Sequence, residues 1–174
     1  ITSAVFHLGN ATLWRNYYFS ELEECRAPTR WIEYFFSASI MMLLLSYGAG
    51  VRDVMLLVAL AVLIAVTMPY GYWTEVIARP KSMDEWTLPL RSRLLPYVLG
   101  HVPQVTAWAI VVASFYDDID VDRVPDFVQI LIWAELLFFF SFGLVQLGQQ
   151  LSKPEYYQRG EVAYQILSLI SKGV

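Results

Sequence analysis

The sequence predicts an all-α membrane protein made of one bundle of helices. Of its 174 residues, 57% are hydrophobic and only 16% are charged, whereas soluble domains are about 45–50% apolar and about 25% charged. The mean hydropathy of +0.47 agrees with this composition. Long apolar runs alternate with short polar connections, and a helix needs about 20 apolar residues to cross a bilayer. We therefore expect a single transmembrane domain over residues 1–174.

Six apolar segments account for most of the chain, and we predict four complete spans with a partial span at each end. In chain order they are Ile1–Trp14, Trp31–Gly50, Val54–Trp73, Leu94–Tyr116, Phe127–Leu151 and Glu161–Val174. The second span has to begin nearer Cys25 if Glu33 is to lie inside the membrane. Because the first and last segments are short, we expect a piece of a larger bundle, truncated at both ends.

The basic residues predict how the bundle is oriented. The connections after the first, third and fifth segments hold nine of them: Arg15, Arg26, Arg30, Arg79, Lys81, Arg91, Arg93, Lys153 and Arg159. The other two connections hold only Arg52 and Arg123. Cytoplasmic loops carry an excess of Lys and Arg. We therefore expect the first group to face the cytoplasm.

Composition also excludes several functions. The net charge of −4 gives no reason to expect nucleic acid as a partner. The single cysteine, Cys25, excludes an intrachain disulfide and a cysteine-rich metal site. With no appended soluble domain, the chain is not expected to be an enzyme.

Polar and aromatic residues recur at three- and four-residue spacing in five segments. These stripes are Ser3, His7, Asn10 and Trp14; Arg26, Arg30, Glu33 and Ser37; Tyr97, His101, Gln104 and Trp108; Glu135, Phe139, Phe142, Gln146 and Gln149; and Glu161, Gln165, Ser168 and Lys172. Residues at this spacing share one helix face, and lipid disfavours polar groups, so we expect the stripes to face inward. Such stripes can also serve only to hold helices together.

Lys172 is the most unusual residue of these stripes. It lies eleven positions after Glu161, or roughly 16 Å along a helix, inside an apolar segment. A free ammonium there costs about 2.5–3.5 kcal/mol. The lysine is therefore expected either to pair with a carboxylate such as Glu33 or to form a Schiff base with a carbonyl compound.

Several segments resemble the heliorhodopsins. Arg30–Tyr34 (RWIEY) and Ser37–Met41 (SASIM) resemble the third helix of that family, and Gly160–Tyr164 (GEVAY) with Ile166–Lys172 (ILSLISK) resembles the seventh, including its retinal-binding lysine. Ser3–Leu8 resembles the second helix, Trp73–Glu75 the end of the fourth, and Phe139–Phe142 the phenylalanine-rich sixth. The resemblance implies a seven-helix rhodopsin-like bundle, of which this chain supplies helices two to seven.

The resemblance also implies a cofactor and a set of residues around it. Lys172 would carry all-trans retinal as a protonated Schiff base, with Glu33 as its counterion and Ser168 and Ser3 nearby. His7 would belong to a proton-storing cluster, and Glu75 matches a family carboxylate. Further residues expected around the cofactor are Ser37, Met41, Trp108, Phe139 and Phe142. The family's topology, inverted relative to other rhodopsins, agrees with the count of basic residues. The expected partners are the lipid bilayer, a second copy in a homodimer and a cytoplasmic signalling protein.

Three functions remain open at this stage. The first is a retinal photoreceptor in which light shifts a proton within the polar cluster. The second is a light-gated proton or ion channel along Glu33, His7 and Glu135. Ile64, in place of a polar amide in the fourth helix, and Glu135 favour a divergent member of the family, such as the viral members that conduct ions. The third is a retinal-free transporter or scaffold in which Lys172 pairs with Glu33.

Overall fold

The computed structural model describes residues 2–118 and 126–171, so Lys172 and Arg123 lie outside the described residues. The described residues form seven α-helices and one two-stranded antiparallel hairpin. The elements are α1 (Thr2–Ala11), α2 (Arg15–Glu23), α3 (Pro28–Gly48), α4 (Val54–Ile77), β1 (Pro80–Ser82), β2 (Glu85–Trp86), α5 (Leu90–Asp118), α6 (Asp126–Leu151) and α7 (Tyr157–Ser171), with a short 3-10 turn at Pro154–Tyr156.

Four helices are long and apolar enough to cross a membrane: α3, α4, α5 and α6. They confirm the four complete spans predicted from hydropathy and make the chain a multi-pass membrane protein. Helices α1 and α7 are shorter, with 10 and 15 residues. The predicted bounds are too narrow at several ends. Helix α4 continues from Trp73 to Ile77, because Glu75 in its last turn is paired inside the protein.

The start of α3 corrects the placement of Arg30. Pro28 lies at the beginning of this helix, where its fixed φ fits and its missing N–H is not needed. Arg30 is therefore in the first turn of a helix, and it is 5% exposed. Arg93 is likewise buried, within α5. The prediction that both are loop residues is wrong, because protein groups replace water around each guanidinium.

Helices α3 to α7 form a closed ring. Successive pairs from α3–α4 to α6–α7 pack against each other, and α7 meets α3 where the Tyr34 hydroxyl donates to the Tyr164 carbonyl oxygen at 3.4 Å. Helix α1 packs against α3. Apolar side chains from α3 to α6 fill part of the ring, including Met42, Leu60 and Ile64, which are fully buried. The remainder of the interior is the cavity described below.

Three connections meet at one end of the ring, which we call the linked end. The Trp86 indole N–H donates to the Ser152 carbonyl oxygen at 2.7 Å, and the Glu155 amide donates to Met83 O at 3.0 Å. The Cys25 thiol donates to Pro154 O at 3.7 Å. Helix α2 and the hairpin, which hydropathy did not predict, belong to this layer. The three connections that carry most basic residues are thus on one side, as predicted.

Candidate functional site

A buried ionic cluster closes the ring near the linked end. The Arg30 guanidinium donates to Glu75 Oε1 of α4 and to Glu161 Oε1 of α7. Its charged carbon lies 3.8 Å from the centre of the Tyr164 ring. Glu75 Oε2 also accepts the Ala27 amide at 3.0 Å. The cluster therefore ties α3, α4 and α7 together. In the sequence, this cluster was indicated by the position of Arg30 on the same stripe as Glu33 and Ser37.

Glu33 lies one turn further into α3 and is 2% exposed. Its Oε2 is 3.9 Å from His7 Nε2 of α1, so the structure brings these two predicted site residues together. The His7 side chain is 44% exposed among the described residues. Ser3, one turn earlier in α1, is half-buried.

The inward face of α7 differs from the predicted stripe. Glu161, Tyr164, Ser168 and Ser171 are buried, whereas Gln165 is exposed. Gln165 donates to the Tyr18 hydroxyl at 3.3 Å instead. Its predicted inward position is wrong because α7 meets α3 through Tyr164, which rotates the buried face away from Gln165. Ser168 forms a side-chain hydrogen bond with Tyr34. Lys172, directly after Ser171, lies outside the described residues.

A central cavity lies inside the ring. Its walls are mainly aromatic side chains, methionines and glycines. Four predicted cofactor-site residues line it: Ser37, Met41, Phe139 and Phe142. Trp108 does not line it, because it is buried behind Phe139, with the two ring centres 5.2 Å apart in an edge contact. Glu33, Ser3 and Ser168 are also not among the lining residues.

The other fifteen lining residues are not among the predicted cofactor-site residues. They are Trp31, Tyr34, Ala38, Ile64, Thr67, Met68, Gly71, Tyr97, Gly100, His101, Gln104, Gly143, Gln146, Tyr164 and Ser171. The inward direction of the α5 and α6 stripes is confirmed, since Tyr97, His101, Gln104 and Gln146 are among them. The spacing of these stripes could have been used to predict which residues of α5 line the cavity. Gln146 also crosses the ring and donates to Gly71 O at 2.9 Å.

Glu135 of α6 lies in a second, more open cavity near Ser171 and Met41. It is 3% exposed, and its Oε2 has no hydrogen-bond partner among the residues that the structure describes. The neighbouring side chains are mostly aliphatic. Glu135 is thus separate from the Arg30 cluster, and the structure places it on the far side of the central cavity from the linked end.

The geometry defines a class of membrane protein: a ring of spanning helices around an aromatic cavity, with a buried carboxylate beside it. Small-molecule sites are concave and mostly apolar with few polar groups, and the cavity beside Trp31, Phe139 and Phe142 has this character. The family model described as Heliorhodopsin matches residues 1–174, and the chain belongs to that family. The family comprises retinal-binding microbial rhodopsins, which are generally photoreceptors without enzymatic activity. A comparison with curated proteins gives no match.

Proposed function

We propose that this protein is a photoreceptor that binds all-trans retinal through a protonated Schiff base at Lys172 Nζ. The observation that carries the proposal is the position of Ser171, which lines the aromatic cavity and directly precedes Lys172 in the sequence. Glu33, buried on the neighbouring helix α3, is its counterion, because a cation in a low-dielectric site needs an anion within about 4–6 Å.

The side chains around the cavity have two proposed roles, one apolar and one polar. Trp31, Phe139, Phe142 and Met41 exclude water and hold the ligand flat. Ser37 provides a buried hydroxyl oxygen at the cavity wall that has no partner among the described residues. When bound, retinal supplies absorption of visible light and isomerisation.

In the proposed mechanism, protein groups beside the cavity move the proton. Glu33 holds the compensating negative charge, and His7 Nε2 takes up a proton that leaves the site. The 3.9 Å separation of these two groups supports a local shift. Ser168 and Ser3 position polar groups near them. Glu75 remains a proposed relay group, although its charge is already matched by Arg30.

The chain supplies helices two to seven of a seven-helix bundle, with the linked end in the cytoplasm. Without the buried Arg30 and Arg93, seven basic residues remain on that side, against Arg52 and Arg123 on the other. This excess still supports the inverted orientation. We further propose that residues 1–174 form one domain that works in the bilayer as a homodimer and acts on a cytoplasmic signalling partner.

A reconstitution spectrum tests the proposal. The full-length protein with all-trans retinal should give a visible absorption band that hydroxylamine bleaches in light. Lys172→Ala should abolish the band, whereas Lys153→Ala, which removes an exposed lysine, should keep it. Glu33→Gln should shift the band and ease loss of the Schiff-base proton. A band that survives in Lys172→Ala would refute the assignment.

Ion conduction is the second candidate, favoured by the unpartnered carboxyl of Glu135 and by the buried amides of Gln146 and Gln149 on the same helix, within the part of the chain that the structure describes. Light would then open a path for protons along Glu33, His7 and Glu135. Whole-cell recording under illumination should show a photocurrent that falls in Glu135→Gln. Absence of current at all voltages and pH gradients leaves sensing alone.

A retinal-free transporter or scaffold is the third candidate, with Lys172 paired to Glu33. In that case retinal should leave the thermal stability unchanged and Glu33→Ala should prevent folding. A visible band in the reconstituted protein excludes it.

A further inference from the structure

The α5 wall of the central cavity is polar, unlike the aromatic walls contributed by α3 and α6. Tyr97, His101 and Gln104 line it, and Thr67 of α4 lies beside them. Helix α5 packs against α4 and α6, whereas α7 packs against α6 and contacts α3. A ligand attached just after Ser171 therefore directs its far end towards α5. For retinal, that end is the ring.

A contact with Tyr97 favours one tautomer of His101. Its Nδ1 lies 2.8 Å from the Tyr97 carbonyl oxygen, and a carbonyl can only accept, so Nδ1 carries the hydrogen. In the neutral ring Nε2 is then an acceptor, and it has no partner among the described residues. Gly143 leaves room for it, because a Cβ at that position would lie 2.7 Å from Nε2.

The same reasoning applies to Gln104. Its Nε2 donates to the Phe139 carbonyl oxygen at 3.2 Å, which identifies the other amide atom as the oxygen. The oxygen Oε1 is a second acceptor, and the hydrogen bond that this amide makes within the described part of the chain is the one from Nε2. The Tyr97 hydroxyl would lie 3.8 Å from a Cβ added to Gly143, and it can donate or accept. This wall thus offers two acceptors and one hydroxyl.

We propose that this polar wall recognises a hydroxyl group on the ring of the retinoid, so that the protein selects ring-hydroxylated retinal over ring-oxo retinal. The inference rests on the proposed attachment at Lys172. A ring hydroxyl donates to His101 Nε2 and accepts from the Tyr97 hydroxyl. A ring ketone of the same size only accepts, and it leaves His101 Nε2 without a donor. Unmodified retinal satisfies none of these groups, and buried polar groups without partners are unfavourable.

A competition experiment measures this selection. The full-length protein is incubated with an equimolar mixture of all-trans 4-hydroxyretinal and all-trans 4-oxoretinal, and the bound retinoids are released as oximes and quantified by chromatography. One additional neutral hydrogen bond should enrich the hydroxylated form about two- to tenfold. Unmodified all-trans retinal, tested separately, reports whether the site forms at all.

Two variants should have different effects on the ratio. His101→Phe removes the acceptor and should bring the ratio to one or below. Tyr97→Phe removes the hydroxyl that donates to either ring group, and should weaken binding of both forms while leaving the ratio near that of the parent protein. Thr106→Val is the control, because this residue lies on the exposed side of α5 and its hydroxyl donates within the helix. It should leave the ratio unchanged.

The outcomes separate this inference from the proposed function. If no retinoid binds, both fail. If unmodified retinal gives a visible band but the two derivatives bind equally in the parent protein, only the ring selection is refuted, and water satisfies the α5 acceptors. An equal effect of His101→Phe and Thr106→Val would also refute it.

Discussion

Replacing Arg30 should destabilise the protein more than any exposed charge does. Arg30→Met leaves Glu75 and Glu161, whose side chains are 1% and 4% exposed, without the cation that they share in the described structure. Removing one partner of a buried ion pair costs about 3–5 kcal/mol. For a chain of this size, 1 kcal/mol corresponds to about 2–4 °C in the unfolding midpoint. We therefore expect a fall of about 6–20 °C.

The measurement is thermal unfolding in detergent micelles, followed by circular dichroism. Arg91→Met removes an exposed arginine from α5 and should change the midpoint little, because surface charges contribute about 0–1 kcal/mol. The triple variant Arg30→Met, Glu75→Gln and Glu161→Gln leaves no charge at the cluster and should recover most of the loss. If Arg30→Met matches the parent protein, or if the triple variant is no more stable than Arg30→Met, the electrostatic explanation is wrong.

Three further changes test packing, ionisation and cross-ring bonding. Gly71→Ala places a Cβ inside van der Waals contact with the Trp31 ring and should cost about 1–3 kcal/mol in thermal unfolding, whereas Gly48→Ala meets nothing within 4 Å and should not destabilise. Burial raises the pKa of the Cys25 thiol from 9.0 to about 11. Between these two values the folded state keeps a proton that the unfolded state loses. The contribution of the protonated thiol to the free energy of unfolding should therefore be fully present below about pH 9 and be lost as the pH rises through about 11. Unfolding of Cys25→Ala, measured across the same pH range, should lack this decline. Gln146→Leu removes the donor to Gly71 O and should lower the free energy of unfolding by about 0.5–1.5 kcal/mol.

The spanning helices could be predicted from the sequence because their evidence is local. The apolar runs of α4 and α6 are long enough to identify each helix without knowledge of its neighbours. Helix α2 and the hairpin have no such run, and their stability depends on contacts with distant residues. Trp86, for example, bonds to Ser152, 66 positions away. Hydropathy carries no information about such a pair.

The candidate site was predictable in part for the same reason. Spacing placed Arg30, Glu33 and Ser37 on one face of α3, and all three are buried. Hydropathy nevertheless assigned Arg30 to a loop, since its partners Glu75 and Glu161 lie 45 and 131 positions away. His101 and its neighbours on the α5 wall were not predicted as site residues, because the resemblance to heliorhodopsins points to residues near Lys172. The acceptor character of His101 follows only from the Tyr97 carbonyl contact.

The linked end has a mechanical consequence. Helix α5 begins there, and Arg93 near its start donates to Gln150 O at the end of α6, at 2.7 Å, so these two helices are fastened at one end. A helix fixed at one end moves least there and most at its other end. The 29 residues of α5 span about 43 Å, and a tilt of about 5° about the fastened end moves the opposite tip by about 4 Å. A tilt of α5 about the fastened end would therefore displace the membrane face remote from the linked end most and the linked loops least.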